Sequence, residues 1–128
     1  MIVAGLGSRK AISAEQVHAA IDAALVHSHL SAQQLDLIAV PALKGADAGI
    51  QAAAAARGLV LLLITQDSLE AANPRTVTRS THSMAAMNVH SVAEAAALAG
   101  AGPNARLLAP RISVGPVTCA LAEGDIAA

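Results

Sequence analysis

The chain has 128 residues, a formal net charge of -1 and no Phe, Tyr or Trp. That length predicts one domain, spanning residues 1–128, with a core of Leu, Ile, Val and Ala. A nearly neutral chain without aromatic side chains lacks the basic face and the stacking platforms that nucleic-acid binding requires. The single Cys119 excludes an internal disulfide, and the longest strongly apolar run, 59–64, is too short to span a bilayer. We therefore expect a cytoplasmic protein with neither a nucleic-acid nor a membrane partner.

Apolar runs of strand length alternate along the chain with longer stretches of helical periodicity. The pattern predicts strands over 2–6, 35–40 and 59–64, a hairpin over 105–112 and 117–122, and helices over 14–29, 48–57, 67–70 and 92–99. The uniform apolarity of 59–64 predicts a strand covered on both faces. Residues 76–87 predict an irregular loop with a short helix. The fold class that follows is α/β, a three-layer α/β/α arrangement with a mixed, mostly parallel sheet of about five strands.

Basic residues are concentrated near the predicted strand ends. Arg9 and Lys10 follow the first strand, Lys44 follows the second, and Arg111 lies late in the fourth. In an open α/β sheet, ligands bind beyond the carboxyl ends of the strands, where two predicted helix N-termini would also point their N–H groups. These cations would suit a ligand with several carboxylates or phosphates. The alternative interpretation is the ordinary preference of basic residues for loops.

The glycine-rich segment after the first strand does not complete a nucleotide-binding motif. Gly5 and Gly7 begin a G-x-G, but Lys10 stands where the dinucleotide fingerprint needs a third Gly or Ala, and no phosphate-loop pattern occurs. Two interpretations remain: a turn that brings the backbone close to a ligand, or a simple connection between strand and helix.

Few other residues carry chemical signals. Glu94 stands three residues after Ser91, where a capping box would use it, although it could instead orient a ligand loop or act as an acid/base. His82 and His90 bracket the irregular segment, either as solvated loop residues or as side chains that reach the cleft. The five histidines have no metal-ligand spacing, so we predict neither a metal nor a cofactor.

Taken together, four segments resemble the C-terminal domain of the cobalamin biosynthesis protein CbiG, which also occurs alone as CobE. They are the opening Gly-Leu-Gly-Ser-Arg-Lys at 5–10, Lys44 with an acidic residue three positions on, Ser-Val-Ala-Glu-Ala-Ala-Ala-Leu at 91–98, and the stretch 111–118. The chain departs from the family pattern in having Ser8 in place of Cys, Asp47 in place of Glu, Arg111 in place of Lys, and Met87 and Asn88 where a Gly is usual.

The resemblance implies a role in building the corrin ring of vitamin B12. One hypothesis is a protein that binds or delivers a precorrin or cobalt-precorrin intermediate around the ring-contraction steps, together with other enzymes of the pathway. The alternative is a CbiG-like cobalt-precorrin-5A hydrolase that opens a lactone and releases acetaldehyde. Its Lys44 would polarise the lactone carbonyl, with Asp47, Glu94 or His82 as the base. A third hypothesis, an unrelated nucleotide-binding or anion-binding domain, is disfavoured by the broken fingerprint. The candidate ligand-binding residues are Gly5, Gly7, Ser8, Arg9, Lys10, Lys44, Glu94 and Arg111.

Overall fold

The computed structural model describes residues 1–9, 11–80, 84 and 87–125. Within these ranges the chain forms four helices and six strands: β1 (Ile2–Ser8), α1 (Ala14–His27), β2 (Leu37–Pro41), α2 (Ala48–Arg57), β3 (Val60–Ile64), α3 (Gln66–Ala72), α4 (Val92–Ala101), β4 (Arg106–Leu107), β5 (Ile112–Val114) and β6 (Val117–Glu123). The predicted alternation of strands and helices is confirmed. Of the segment 76–87, for which a loop with a short helix was predicted, residues 81–83, 85 and 86 lie outside the described ranges.

The strands form one mixed sheet in the order β3-β2-β1-β6-β4, with β5 also pairing with β6. β1 pairs in parallel with β2, and β2 with β3, whereas β6 runs antiparallel to β1, β4 and β5. The mixed sheet is confirmed, although it has six strands rather than about five. The predicted strand 105–112 is divided into β4 and β5, because Pro110 lacks the N–H that a continuous ladder needs. Arg111 accordingly lies in the bend between the two strands and not within a strand.

Helices cover both faces of the sheet, which gives the predicted three layers. Alternate residues of the central strands point to opposite sides: Leu6 and Ile38 join the cluster with α1 and α2, while Val3 and Ala39 join the cluster with α3 and α4. α4 is buried on nearly all sides, which its Ala-rich sequence allows because small side chains let it lie close to the sheet. This close packing of α4 over β1 brings Val92 and Ala93, at the start of the helix, to the cleft described below.

The strand β3 differs from its prediction. Its apolar run was expected to be covered on both faces, but β3 is an edge strand. Val60 is 68% exposed, Leu63 47% and Leu62 37%. The cause is its place in the sheet, since an edge strand has a neighbour on one side only and the helices pack over the central strands. A uniform apolar run therefore did not indicate full coverage here.

The helix N-termini follow the predicted capping signals. Ser13 and Gln16 form a complete capping box at α1, Asp47 caps α2, and the Ser91 side chain accepts a hydrogen bond from the Glu94 N–H at α4. The Glu94 side chain does not complete the predicted capping box, because its carboxylate bonds to Val77, Thr78 and Arg111, as described below. None of the described helices has both the length and the apolar character that crossing a lipid bilayer requires.

Candidate functional site

A large open cleft lies at the carboxyl ends of β1 and β2, beside the turn that connects β5 to β6. The antiparallel register places Gly7 opposite Thr118 and Ser8 opposite Val117, so this turn stands next to the end of β1. The cleft has a volume of about 1060 Å³. That volume is at the upper end of the range for small-molecule sites, roughly 300–1,000 Å³, and suits a large ligand. The described residues that line it include Gly7, Ser8, Arg9, Gln16, Pro41, Leu43, Lys44, Ser80, Met87, Val92, Ala93, Arg111, Ser113, Gly115, Pro116 and Thr118.

Three cations converge on this cleft from separate parts of the chain. Arg9 follows β1, Lys44 ends the 3₁₀ turn after β2, and Arg111 lies in the bend before β5. Among the described lining residues there is no Asp or Glu. Both ion pairs found in the described ranges lie elsewhere and use other basic residues. The cleft therefore presents positive charge that no carboxylate among the described lining residues neutralises.

The two glycines of the opening segment have different surroundings. Gly7 lines the cleft together with Ser8. Gly5 does not, contrary to its prediction as a ligand-binding residue. A Cβ placed at Gly5 would lie 2.1 Å from the Ala93 carbonyl oxygen and 2.4 Å from the Ala97 amide nitrogen. Gly5 thus serves the close packing of β1 against α4, and only the second glycine reaches the site.

Asp47 does not line the cleft either, although it was a candidate base. Its Oδ1 accepts hydrogen bonds from the N–H groups of Gly49, at 2.9 Å, and Ile50, at 3.1 Å. Two of the free amides in the first turn of α2 are therefore already satisfied by the capping residue. The prediction that this N-terminus points those amides at a ligand is wrong for these two groups. At α1 the corresponding first turn does reach the site, since Gln16 is one of the lining residues.

Glu94 lies behind the cleft wall, fully buried, and its carboxylate accepts four hydrogen bonds. Oε1 accepts from the N–H groups of Val77, at 2.8 Å, and Thr78, at 2.9 Å. Oε2 accepts from the Thr78 hydroxyl, at 2.6 Å, and the Arg111 N–H, at 2.9 Å. Burial raises the pKa of Glu94, but these hydrogen bonds outweigh it and hold the pKa below its ordinary value. A carboxylate stabilised in its charged form by four donors is poorly suited to accept a proton from a substrate.

The remaining predicted candidates contribute less to the described site. Lys10 and His82 lie outside the described residues. His90 is not among the described lining residues. Its backbone N–H donates to Asn73, and its buried Nδ1 has no hydrogen-bond partner within the described part of the chain. Burial raises the pKa of the Cys119 thiol to about 12, so this side chain remains protonated. No three His, Cys, Asp or Glu side chains in the described ranges lie together as a metal-binding group would.

Several lining residues were not singled out from the sequence as ligand contacts. Leu43, Met87 and Val92 supply apolar wall, while Ser113 and Thr118 supply hydroxyl groups. The predicted hairpin was the one available signal for the hydroxyl pair, but the sequence did not show that its second strand pairs with β1. No pattern indicated the apolar contributors. Leu43 lies in the 3₁₀ turn Ala42–Lys44, Met87 is a helical residue at the end of the segment 76–87, and Val92 begins α4.

The fold and the cleft define the chain as an α/β domain with a mixed sheet and a cation-lined cleft at its strand ends. Over residues 2–122 the sequence matches the family described as "Cobalamin synthesis G C-terminus". The chain belongs to this family of the cobalamin biosynthesis pathway, which confirms the resemblance found in the sequence. A search of curated proteins found no match.

Two solved structures agree with this assignment. The chain is similar to CobE, described as a protein from the cobalamin (vitamin B12) biosynthetic pathway. The identity is 30% and the TM-score 0.89, and the match covers 95% of this chain and 89% of that one. It is also similar to the cobalamin biosynthesis protein ChiG from Agrobacterium tumefaciens str. C58. Here the identity is 39% and the TM-score 0.78, over 98% of this chain and 100% of the other.

Proposed function

We propose that this protein binds a precorrin or cobalt-precorrin intermediate in the cleft and presents it to other enzymes of corrin synthesis. The observation that carries the proposal is the convergence of Arg9, Lys44 and Arg111 on one large cleft in a member of a cobalamin biosynthesis family. Precorrins are macrocycles fringed with acetate and propionate carboxylates. A ring of separated cations is the arrangement that binds such a fringe through charge-assisted hydrogen bonds.

The apolar lining supports the same proposal. Leu43, Met87 and Val92 would pack against the ring face, while the cations contact the carboxylates at its margin. The protein contains no aromatic side chain, so stacking of the usual kind is replaced by aliphatic contact. Recognition would then depend chiefly on the carboxylate fringe, and its strength would fall as salt screens the exposed cations.

The geometry favours binding over lactone hydrolysis. Lys44 lines the cleft, where it could polarise a carbonyl, but the two described carboxylates proposed as bases are engaged elsewhere. Asp47 caps α2, and Glu94 accepts four hydrogen bonds behind the wall. The base that activates water would then have to be His82, which lies outside the described residues, another residue, or the substrate itself.

The proposal is tested by mixing purified protein with pathway intermediates and following visible absorption and acetaldehyde. Saturable binding without turnover is the expected result. Release of acetaldehyde would refute the carrier role and support the hydrolase hypothesis. Failure to bind any tetrapyrrole would refute both hypotheses.

Substitution of single basic residues tests whether the ligand binds in the cleft. Lys44→Ala and Arg9→Ala should each weaken binding by roughly 1–3 kcal/mol, because each removes a charged hydrogen-bond donor. The matched control is Arg106→Ala, which makes the same change of charge at an exposed ion pair with Glu123, away from the cleft. Unchanged affinity in both cleft variants, or an equal loss in the control, would contradict the placement.

A further inference from the structure

The hydrogen bonds of Glu94 connect two parts of the cleft wall that are distant in sequence. Three donors, the N–H of Val77 and the N–H and hydroxyl of Thr78, lie in the segment that leads to Ser80. The other segment contributes the N–H of Arg111. Ser80 and Arg111 both line the cleft. The carboxylate itself is fully buried and does not line it. The side chain of Glu94 thus forms hydrogen bonds to both wall segments on the side that faces away from the cleft.

The number of donors makes this connection sensitive to the charge of the carboxylate. Each oxygen of Glu94 accepts two hydrogen bonds, and charged acceptors give shorter and stronger bonds than neutral ones. An amide at the same place could accept at one atom only, because its NH₂ group is a donor. The wall segments would then face an unsatisfied or repulsive contact and would move relative to each other.

We propose that Glu94 is a positioning residue of the binding cleft: it sets the place of Arg111 relative to the segment 76–80, so that ligand affinity depends on its carboxylate although it does not contact the ligand. This inference rests on the proposed binding function. The competing interpretation is that Glu94 merely stabilises the first turn of α4, in which case its loss would reduce stability and leave the affinity of the folded protein unchanged.

Two variants and one control separate these interpretations. Glu94→Gln preserves the size of the side chain and removes the charge, whereas Thr78→Val removes only the 2.6 Å hydroxyl bond. The control is Ser91→Ala, which removes the acceptor of the Glu94 N–H at the same helix end and leaves the bonds to both walls in place. The probe is uroporphyrin, an octacarboxylate tetrapyrrole, titrated by visible absorption. Amide chemical shifts of each variant without ligand report whether the backbone around Arg111 has moved, and circular dichroism confirms that each variant is folded.

The expected result is a loss of about tenfold or more in uroporphyrin affinity for Glu94→Gln and Thr78→Val, since displacement of binding groups by about 1 Å is costly. Their Arg111 amide resonance should also shift. Ser91→Ala should lower Tm and keep its affinity within about twofold. If Glu94→Gln does not fold, the uroporphyrin affinity of Thr78→Val, compared with that of the wild-type protein, distinguishes the two interpretations.

If Glu94→Gln and Thr78→Val fold and keep the wild-type affinity for uroporphyrin, this inference alone is overturned. An equal loss of affinity in Ser91→Ala would also overturn it. If the wild-type protein binds pathway intermediates but not uroporphyrin, the same variants are titrated with the intermediate that binds. Failure of the wild-type protein to bind either uroporphyrin or any pathway intermediate would overturn the inference together with the proposed function, so the two failures are distinguishable.

Discussion

The close packing of α4 on β1 predicts that Gly5→Ala is strongly destabilising. The added Cβ would lie 2.1 Å from the Ala93 carbonyl oxygen and 2.4 Å from the Ala97 amide nitrogen. Both neighbours are backbone atoms, so no change of rotamer can relieve the overlap and the helix itself must move. Overpacking of cores costs typically about 1–3 kcal/mol, and we expect this backbone clash to reach about 3 kcal/mol or more. For a domain of this size the corresponding fall in Tm is roughly 10 °C.

Gly7→Ala is the matched control, because the same substitution two residues later meets ordinary contacts. Its Cβ would lie 3.6 Å from the nearest atoms, the Ala93 nitrogen and a Val92 carbon. Since Ala restricts the unfolded chain more than Gly does, we expect a neutral effect or a gain of about 0.4–1 kcal/mol. Urea unfolding followed by far-ultraviolet circular dichroism is the suitable assay, as the chain has no Trp or Tyr to report by fluorescence. Equal stability of the two variants would refute the account of how α4 packs.

Two further predictions concern the carboxylates at helix starts. Asp47→Ala should lower stability by about 0.5–2 kcal/mol through loss of the α2 cap and leave ligand affinity unchanged, as measured by urea unfolding and titration. A large loss of ligand affinity in this variant would indicate that Asp47 takes part in ligand binding and would contradict the prediction. The second prediction is pH-dependent. Because the pKa of Glu94 is lowered by folding, its contribution to stability is complete above the ordinary value of 4.5 and is lost as the pH falls below it. The difference in Tm between the wild-type protein and Glu94→Gln should therefore shrink below that pH, and a constant difference would contradict the assignment.

Local signals in the sequence predicted most helices and central strands. The capping residues Ser13 and Asp47 marked helix starts that the structure confirms, and Gly58, in the left-handed conformation, marked the end of α2. These signals act within a few residues, so no tertiary information was needed. The position of β3 at the sheet edge was not predictable in this way, because strand order is set by packing of the whole domain.

The candidate site was predicted in part. Arg9, Lys44 and Arg111 were placed together because the carboxyl ends of neighbouring parallel strands share an edge, and the structure brings all three to the cleft. Gly5 packs against α4 and is not among the lining residues. A local motif could not show this, because the contacting residues of α4 lie 88 or more positions further along the chain. The partners of Glu94 were also not predictable from a local motif. Its position suggested a cap, whereas Thr78 lies 16 residues before it and Arg111 lies 17 residues after it.

The most direct test of the central claim is a crystal structure of the protein with a bound precorrin. We expect the macrocycle in the cleft, with ligand carboxylates roughly 2.7–2.9 Å from the side-chain nitrogens of Arg9, Lys44 and Arg111. Leu43 and Met87 should contact the ring face. A ligand bound elsewhere, or one in the cleft with its carboxylates directed to solvent and away from these cations, would contradict the proposed function.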